Sequence, residues 1–277
     1  MDNCIYVKFK DILFASRDKD MLHETKNFLS SNFDMKDLGE ASYVLGIEIH
    51  RDRSKGMLGL SQKAYFERVL KKYNMHKCSA SPAPIVKGDK FGTFQCPRNQ
   101  LEIDQMKSVP YASAVGSIMY AQVCTRPDLA FITGMLGRFQ SNPGPDHWTA
   151  AKKVLRYMQG TKDYMLTYQR SDNLQVVGYS DADYAGYMDS KKSTSGYVFT
   201  LAGGAISWKS SEQTITASST MQTEFIACYE VTGQAVWLKN FIPGLKVVDS
   251  ISRPLVLYCD IEPAVFYTCN NKCCQAH

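Results

Sequence analysis

The sequence predicts an α/β fold with α+β character, and three observations carry that expectation. Apolar residues fall at helical spacing in four stretches between Ser61 and Gly160. After Ser171 the order becomes strand, strand, strand, helix, strand, an antiparallel meander followed by a crossover helix into a mixed sheet. The chain has 277 residues, 44% hydrophobic and 21% charged, which can bury a core and excludes wholesale disorder.

Asp20 to Asn32 reads as a helix, with Leu22, Lys26 and Leu29 at helical spacing and Asp20 as its cap. Tyr43 to His50 reads as one strand, because Tyr43, Leu45, Ile47 and Ile49 alternate with smaller or polar residues. A turn at Ser54-Lys55-Gly56 leads into a second strand, Met57 to Leu60. Ser61 caps an amphipathic helix with Tyr65, Phe66, Val69, Leu70 and Tyr73 on one side. Cys78 to Gln100, broken by Pro82, Pro84, Gly88, Gly92 and Pro97, reads as an irregular connection. Three helices follow: Tyr111 to Gln122, one begun by Pro127, and one capped by Asp146 and stopped at Gly160. The last carries Lys152, Lys153 and Arg156 beside Trp148 and Tyr157, an interleaving suited to phosphate contact.

Beyond Ser171, Val176 to Ser180, Gly196 to Leu201 and Ala205 to Lys209 read as strands, with Gly203-Gly204 marking a hairpin. A long helix from Ser219 to Phe241 offers Phe225, Tyr229, Val236 and Trp237 as core residues. Leu255 to Cys259 is the fourth strand, expected beside the first.

Charge divides the chain. Residues 1–170 carry 25 Lys or Arg against 17 Asp or Glu, and residues 171–277 carry 7 against 10. This fits a polyanion-gripping module joined to one whose carboxylates hold cations. The longest charge-free run, Ser108 to Thr125, contains Pro110, Gln122 and four Ser or Thr, so no membrane span is expected. Lys8, Lys10, Asp11 and Arg17 interrupt any signal-like apolar stretch, and nine cysteines then point to reduced thiols and a cytoplasmic location. Cys269, Cys273, Cys274 and His277 lack the second well-separated pair of a zinc site.

Three acids occupy particular places. Asp181 ends the first strand of the second region, Glu224 lies in the first turns of the long helix, and Asp260 ends the fourth strand. If the first and fourth strands are neighbours, the crossover helix can bring Glu224 towards both aspartates. Such a cluster repels itself unless divalent cations neutralise it, and hard oxygen ligands select Mg²⁺ or Mn²⁺.

Five blocks carry a family likeness in order: Tyr179-Ser180-Asp181-Ala182-Asp183-Tyr184-Ala185-Gly186, Lys192-Ser193-Thr194-Ser195-Gly196-Tyr197, Ile206-Ser207-Trp208-Lys209, Ser218-Ser219-Thr220-Met221-Gln222-Thr223-Glu224-Phe225 and Tyr258-Cys259-Asp260. They resemble the ribonuclease H domain of copia-type LTR-retrotransposon Pol polyproteins. Upstream blocks such as Tyr43-Val44-Leu45-Gly46, Val115-Gly116-Ser117-Ile118-Met119-Tyr120, Thr125-Arg126-Pro127-Asp128 and Lys152-Lys153-Val154-Leu155-Arg156-Tyr157 resemble the same polyprotein's reverse transcriptase tail.

The resemblance implies a reverse transcriptase palm/thumb-like segment over 1–75, a helical connection over 76–170 and a ribonuclease H-like domain over 171–277. It implies metal-dependent hydrolysis of RNA in RNA–DNA hybrids, with Asp181, Glu224 and Asp260 as catalytic and metal-binding residues, and nucleic acid as partner. Asp183 reads as a supporting or surface acid. Two departures temper the activity expected. Lys10 stands where the family's polymerase turn has its first aspartate, Asp11 matching the second, so the chain is expected to be polymerase-dead. Ile261-Glu262-Pro263 replaces the usual polar residues after Asp260, and the family's further aspartate and fifth strand have no counterpart. Weak or absent ribonuclease activity follows, the alternative being a non-catalytic nucleic-acid-binding remnant.

Overall fold

The computed structural model of the chain describes residues 12–14, 18–86, 88–171, 174–244 and 255–260. Helix α1 (Lys19–Asn32) is capped by Asp18 rather than Asp20. The Asp18 carboxylate accepts from the backbone N–H groups of Asp20 (2.9 Å) and Met21 (3.2 Å). Strands β1 (Tyr43–Val44), β2 (Ile47–Asp52), β3 (Met57–Ser61) and β4 (Leu166–Gln169) form an antiparallel sheet in that order.

The run read as one strand from Tyr43 is instead a hairpin. Leu45 and Gly46 take φ of 50° and 77°, and Val44 pairs with Ile47 across them. Gly46 supplies the left-handed conformation that this two-residue turn demands. Such a turn preserves the parity of the flanking residues, so the alternation Tyr43, Leu45, Ile47 conceals the break.

A helical body follows: α2 (Lys63–Lys72), α3 (Gln100–Lys107), α4 (Tyr111–Thr125), a 3₁₀ turn (Pro127–Leu129), α5 (Ala130–Gly137) and α6 (Pro145–Gly160). Its core buries Phe66, Leu70, Tyr111, Ile118, Leu129 and Leu155 almost completely. Helix α3 is announced by its cap rather than its periodicity. Asn99 accepts from the Glu102 N–H (2.9 Å), while Glu102 accepts from the Asn99 side-chain amide (2.9 Å), and only Met106 is buried. Helix α6 begins at Pro145, which places Asp146 inside the first turn. The cap is Gly144, whose N–H donates to His147 Nδ1 at 3.0 Å.

Arg126 joins this body together. It is 4% exposed and makes a bidentate contact with Asp128, from Nε at 2.9 Å and Nη2 at 2.7 Å. Nη2 also donates to the Thr161 hydroxyl (2.8 Å), and the guanidinium lies 5.6 Å and 5.3 Å from the ring centres of Phe66 and Tyr157. The Tyr157 hydroxyl closes the network on Asp128 at 2.8 Å.

The second sheet contains β5 (Val177–Asp183), β6 (Thr194–Leu201), β7 (Gly204–Glu212) and β8 (Val256–Tyr258), in the order β7-β6-β5-β8. β8 runs parallel to β5, beside it as expected, and the other pairs are antiparallel. Helix α7 (Thr220–Gly244) makes the crossover. Its expected core residues Phe225, Tyr229, Val236 and Trp237 are exposed. The buried set is Thr223, Glu224, Ala227, Cys228, Val231, Leu238 and Ile242. Smaller side chains let this face approach the sheet. The helix is apolar on both faces, so hydrophobicity alone does not tell the inner face from the outer.

Two predictions follow from the helical body. Asp128→Ala leaves a buried guanidinium without its carboxylate and should cost about 3–5 kcal/mol in urea denaturation. Arg126→Met should cost less, because the Asp128 side chain left behind is 38% exposed; the reverse ranking would refute this reading of the Arg126–Asp128 pair. His147 is fully buried and stacked on Phe139 at 3.9 Å, and burial holds its imidazole below the usual histidine range despite nearby Asp146 and Asp189. A lowered folded-state value means that stability drops as pH falls below the ordinary histidine pKa, where only the unfolded chain takes up the proton. Subtracting the His147→Phe profile from that of the parent, between pH 8 and 5, isolates this acid-side loss; identical slopes would contradict it.

Candidate carboxylate centre

Strand pairing brings two of the three acids abreast. Val177, Gly178 and Tyr179 of β5 pair with Val256, Leu257 and Tyr258 of β8, and the Tyr179 and Tyr258 rings stack at 5.5 Å. Two positions beyond that pair stand Asp181 and Asp260; Asp181 does not end its strand as expected, because β5 stays paired with β6 through Asp183, while Asp260 lies just past β8.

The start of α7 places the third acid. Ser219 Oγ accepts from the Gln222 N–H (3.2 Å), and the Gln222 side chain accepts from the Ser218 N–H (2.7 Å) and hydroxyl (2.8 Å). This reciprocal cap fixes where the helix begins, and Glu224 falls on its inner face. A buried polar network then ties the helix start to the sheet. Gln213 donates to Ser195 Oγ (3.0 Å) and to the Thr223 carbonyl (2.9 Å), while the Ser193 and Thr223 hydroxyls lie 3.1 Å apart. Ser193, Ser195, Gln213 and Thr223 are all buried. The sequence reading passed over Gln213, although a Gln between a strand and a Ser/Thr-rich helix start is a readable signal for such a tie.

Asp181, Glu224 and Asp260 each offer a carboxylate oxygen, and these oxygens lie within 4.8 Å of one another. The two aspartates are exposed and Glu224 is 4% exposed, with Oε2 lacking a hydrogen-bond partner. Burial, then the charge of Asp260 and that of Asp181, pushes the Glu224 carboxyl up to about 7. Asp183 stays outside the trio; its carboxyl is raised by burial and then by Asp181. One turn beyond Glu224, burial and the neighbouring Cys259 push the Cys228 thiol up to about 12.

The basic trio of α6 lies elsewhere. Lys153 pairs with Asp89 at 2.7 Å, Arg156 donates to the Ser79 carbonyl and hydroxyl at 2.8 Å each, and the Lys152 ammonium lies 5.8 Å from the Trp148 ring centre. Lys10, Asp11, Ile261, Glu262, Pro263, Cys269, Cys273, Cys274 and His277 lie outside the described residues. Among the described residues, no helix is long and apolar enough to cross a membrane.

Residues 3–87 match the family "Reverse transcriptase (RNA-dependent DNA polymerase)". The chain is 42% identical over 277 residues to the retrovirus-related Pol polyprotein from transposon TNT 1-94 of Nicotiana tabacum, an alignment covering 95% of this chain and 21% of that protein. It is 31% identical over 261 residues to the Pol polyprotein from transposon RE1 of Arabidopsis thaliana, covering 94% of this chain and 17% of that one. A 133-residue stretch, 48% of the chain, is 53% identical to the secreted RxLR effector protein 161 of Plasmopara viticola and covers 94% of it. No solved structure matches the chain. The chain thus spans about a fifth of the length of the tobacco polyprotein. Near-complete alignment to these polyproteins, with the motif blocks in order, shows that the chain belongs to the copia-type retrotransposon Pol polyprotein family.

Proposed function

We propose that residues 171–277 act as a ribonuclease H-like unit that hydrolyses the RNA strand of an RNA–DNA hybrid, with residues 1–75 and 76–170 as its reverse transcriptase-derived neighbours. The observation that carries the reading is the carboxylate trio, with oxygens within 4.8 Å and a buried, unpartnered Glu224 oxygen among them. Three hard oxygen donors at that spacing fit Mg²⁺ or Mn²⁺, and the unpartnered oxygen is one that a cation would satisfy. A divalent ion bound there supplies water activation and neutralises charge on the phosphate.

The residues' own contribution is positional. Asp181, within β5 near its end, and Asp260, just beyond β8, stay open to solvent where a phosphodiester can approach. Glu224 is held from beneath by the Gln213–Thr223 tie, so the trio is preorganised although its members repel. Lys152, Lys153 and Arg156 would add phosphate contacts, the latter two by releasing Asp89 and Ser79. Lys10, in place of an acid at the polymerase turn, supports a chain that hydrolyses rather than polymerises.

Metal linkage gives the first test. The Glu224 pKa of about 7 lies above its unfolded value, so the metal-free protein loses stability as pH rises from the ordinary glutamate range to about 7. Glu224→Gln should raise the metal-free melting temperature at pH 7.5 and abolish the rise that millimolar Mn²⁺ gives the parent. A Mn²⁺ shift that survives Glu224→Gln would exclude this carboxylate as a ligand.

Cleavage gives the second. Only three ligating acids are present among the described residues, so hydrolysis of a labelled RNA–DNA hybrid should be slow, and faster with Mn²⁺ than with Mg²⁺. Asp181→Asn should lower it by at least about a hundredfold; cleavage unchanged in that variant would remove the assignment.

A further inference from the structure

β7 has a different neighbour on each side. The Ser207 hydroxyl bonds to Gln234 of α7 at 3.1 Å, whereas the indole N–H of Trp208 donates to the Gln122 carbonyl of α4 at 3.1 Å. Helix α5 meets the same strand through Gly134, where an added Cβ would sit 3.5 Å from the Ser210 carbonyl oxygen. Where these elements meet there is an open cavity of about 450 Å³.

Its lining is chemically specific. Trp208, pinned at its N–H edge, forms an aromatic wall, and Ala130, Gly134 and Gly137 supply a floor of small residues. Gln122 and Gln140 bring amides. Arg138 and Lys209 bring two positive charges, and no acid lines the cavity. Arg138 is held in place by the Tyr187 ring at 4.0 Å and by Glu212 at 3.4 Å. Lys209 is exposed and has no ion-pair partner among the described residues. The Thr133 hydroxyl, on a residue 4% exposed that also lines the cavity, has no hydrogen-bond partner.

An aromatic wall, amide groups and a rim on which Lys209 brings an unpaired charge beside the Glu212-paired Arg138 match a planar heterocycle bearing phosphate. We propose that this cavity takes one unstacked base of a single-stranded nucleic acid, with the base against Trp208 and the adjoining phosphate on Lys209 and Arg138. The volume suits a small-molecule-sized group. A base in a duplex is committed to its partner and to its neighbours in the stack, so the occupant is single-stranded. Base–aromatic stacking also tolerates any sequence, so binding depends on strand and salt more than on base identity. The site is separate from the carboxylate trio and does not require that trio to be competent.

The test uses the full chain carrying Trp148→Phe and Trp237→Phe, which leaves Trp208 as its sole tryptophan. An oligothymidylate of about twelve nucleotides at low salt should quench Trp208 emission saturably. An abasic oligomer of the same length should bind with no quench, and thymidine monophosphate should bind at least tenfold more weakly than the strand. Lys209→Glu changes an exposed residue and should weaken oligomer binding at least fivefold with an unchanged melting temperature. Asp181→Asn should leave the Trp208 response intact, which separates this site from the carboxylate reading. The proposal is overturned if the oligomer binds by anisotropy without altering Trp208 emission. It is equally overturned if Lys209→Glu binds as the parent does, or if the monophosphate binds as tightly as the strand.

Discussion

Taking a guanidinium out of water costs several kcal/mol unless its charge is met. Arg126 is met at Nε and Nη2 by one residue close by in the chain and one distant one, with two aromatic rings beside it, while its Nη1 is buried without a hydrogen-bond partner. Asp128, two positions on, neutralises it; Phe66, Tyr157 and Thr161 come from α2, α6 and the turn after α6. Burial raises the Asp128 carboxyl, but the Arg126 contact outweighs it and holds the group below the usual aspartate range. The full set of contacts forms only when all three segments are in place, so this one side chain links α2, α6 and the turn after α6. β4 leaves that body a few residues after Thr161 and pairs with β3, and β5 is the next strand in chain order.

The two halves are joined by polar contacts at several points. Asp189, on the β5–β6 connection, accepts from the Thr93 N–H and hydroxyl at 2.8 to 3.0 Å, and Tyr168 donates to the Ala205 carbonyl at 2.7 Å. Tyr187, from the same connection as Asp189, packs into the core of the helical body. Against this support stands a local cost: three carboxylates share one small volume, and the most buried of them lacks a partner for one oxygen. The Gln213 network keeps Glu224 where repulsion alone would move it. Gln213 holds this position through its amide N–H groups alone, its own Oε1 being buried without a partner among the described residues.

Much of this was legible in the sequence because the signals were local. The strand order of the second sheet followed from turn residues and apolar runs, and Asp181, Glu224 and Asp260 stood at positions that a crossover topology must bring together. What escaped did so for identifiable reasons. A two-residue turn at Leu45-Gly46 keeps the apolar alternation in phase, so periodicity passed through it unbroken. Helix α7 is apolar all round, and its bulkiest residues turned out to face away from the sheet, where packing favours small ones. Strand β4 is four residues long and pairs with a strand some hundred positions earlier, beyond the reach of local patterns. Gln213 showed its role only once the ends of β6 and β7 and the start of α7 were seen to converge.

The shortness of β8 bears on the order of events during folding. Asp260 reaches its partners on a strand with three paired residues, aligned in parallel with residues about eighty positions earlier. Closing so long a loop for so few hydrogen bonds is entropically unfavourable until β5, β6, β7 and α7 already present a template. The helical body, rich in local contacts, can form early, and the trio is complete only when β8 docks. Kinetically, the clustering of the three carboxylates is then a late property of the nascent chain, gained in the step that adds Asp260.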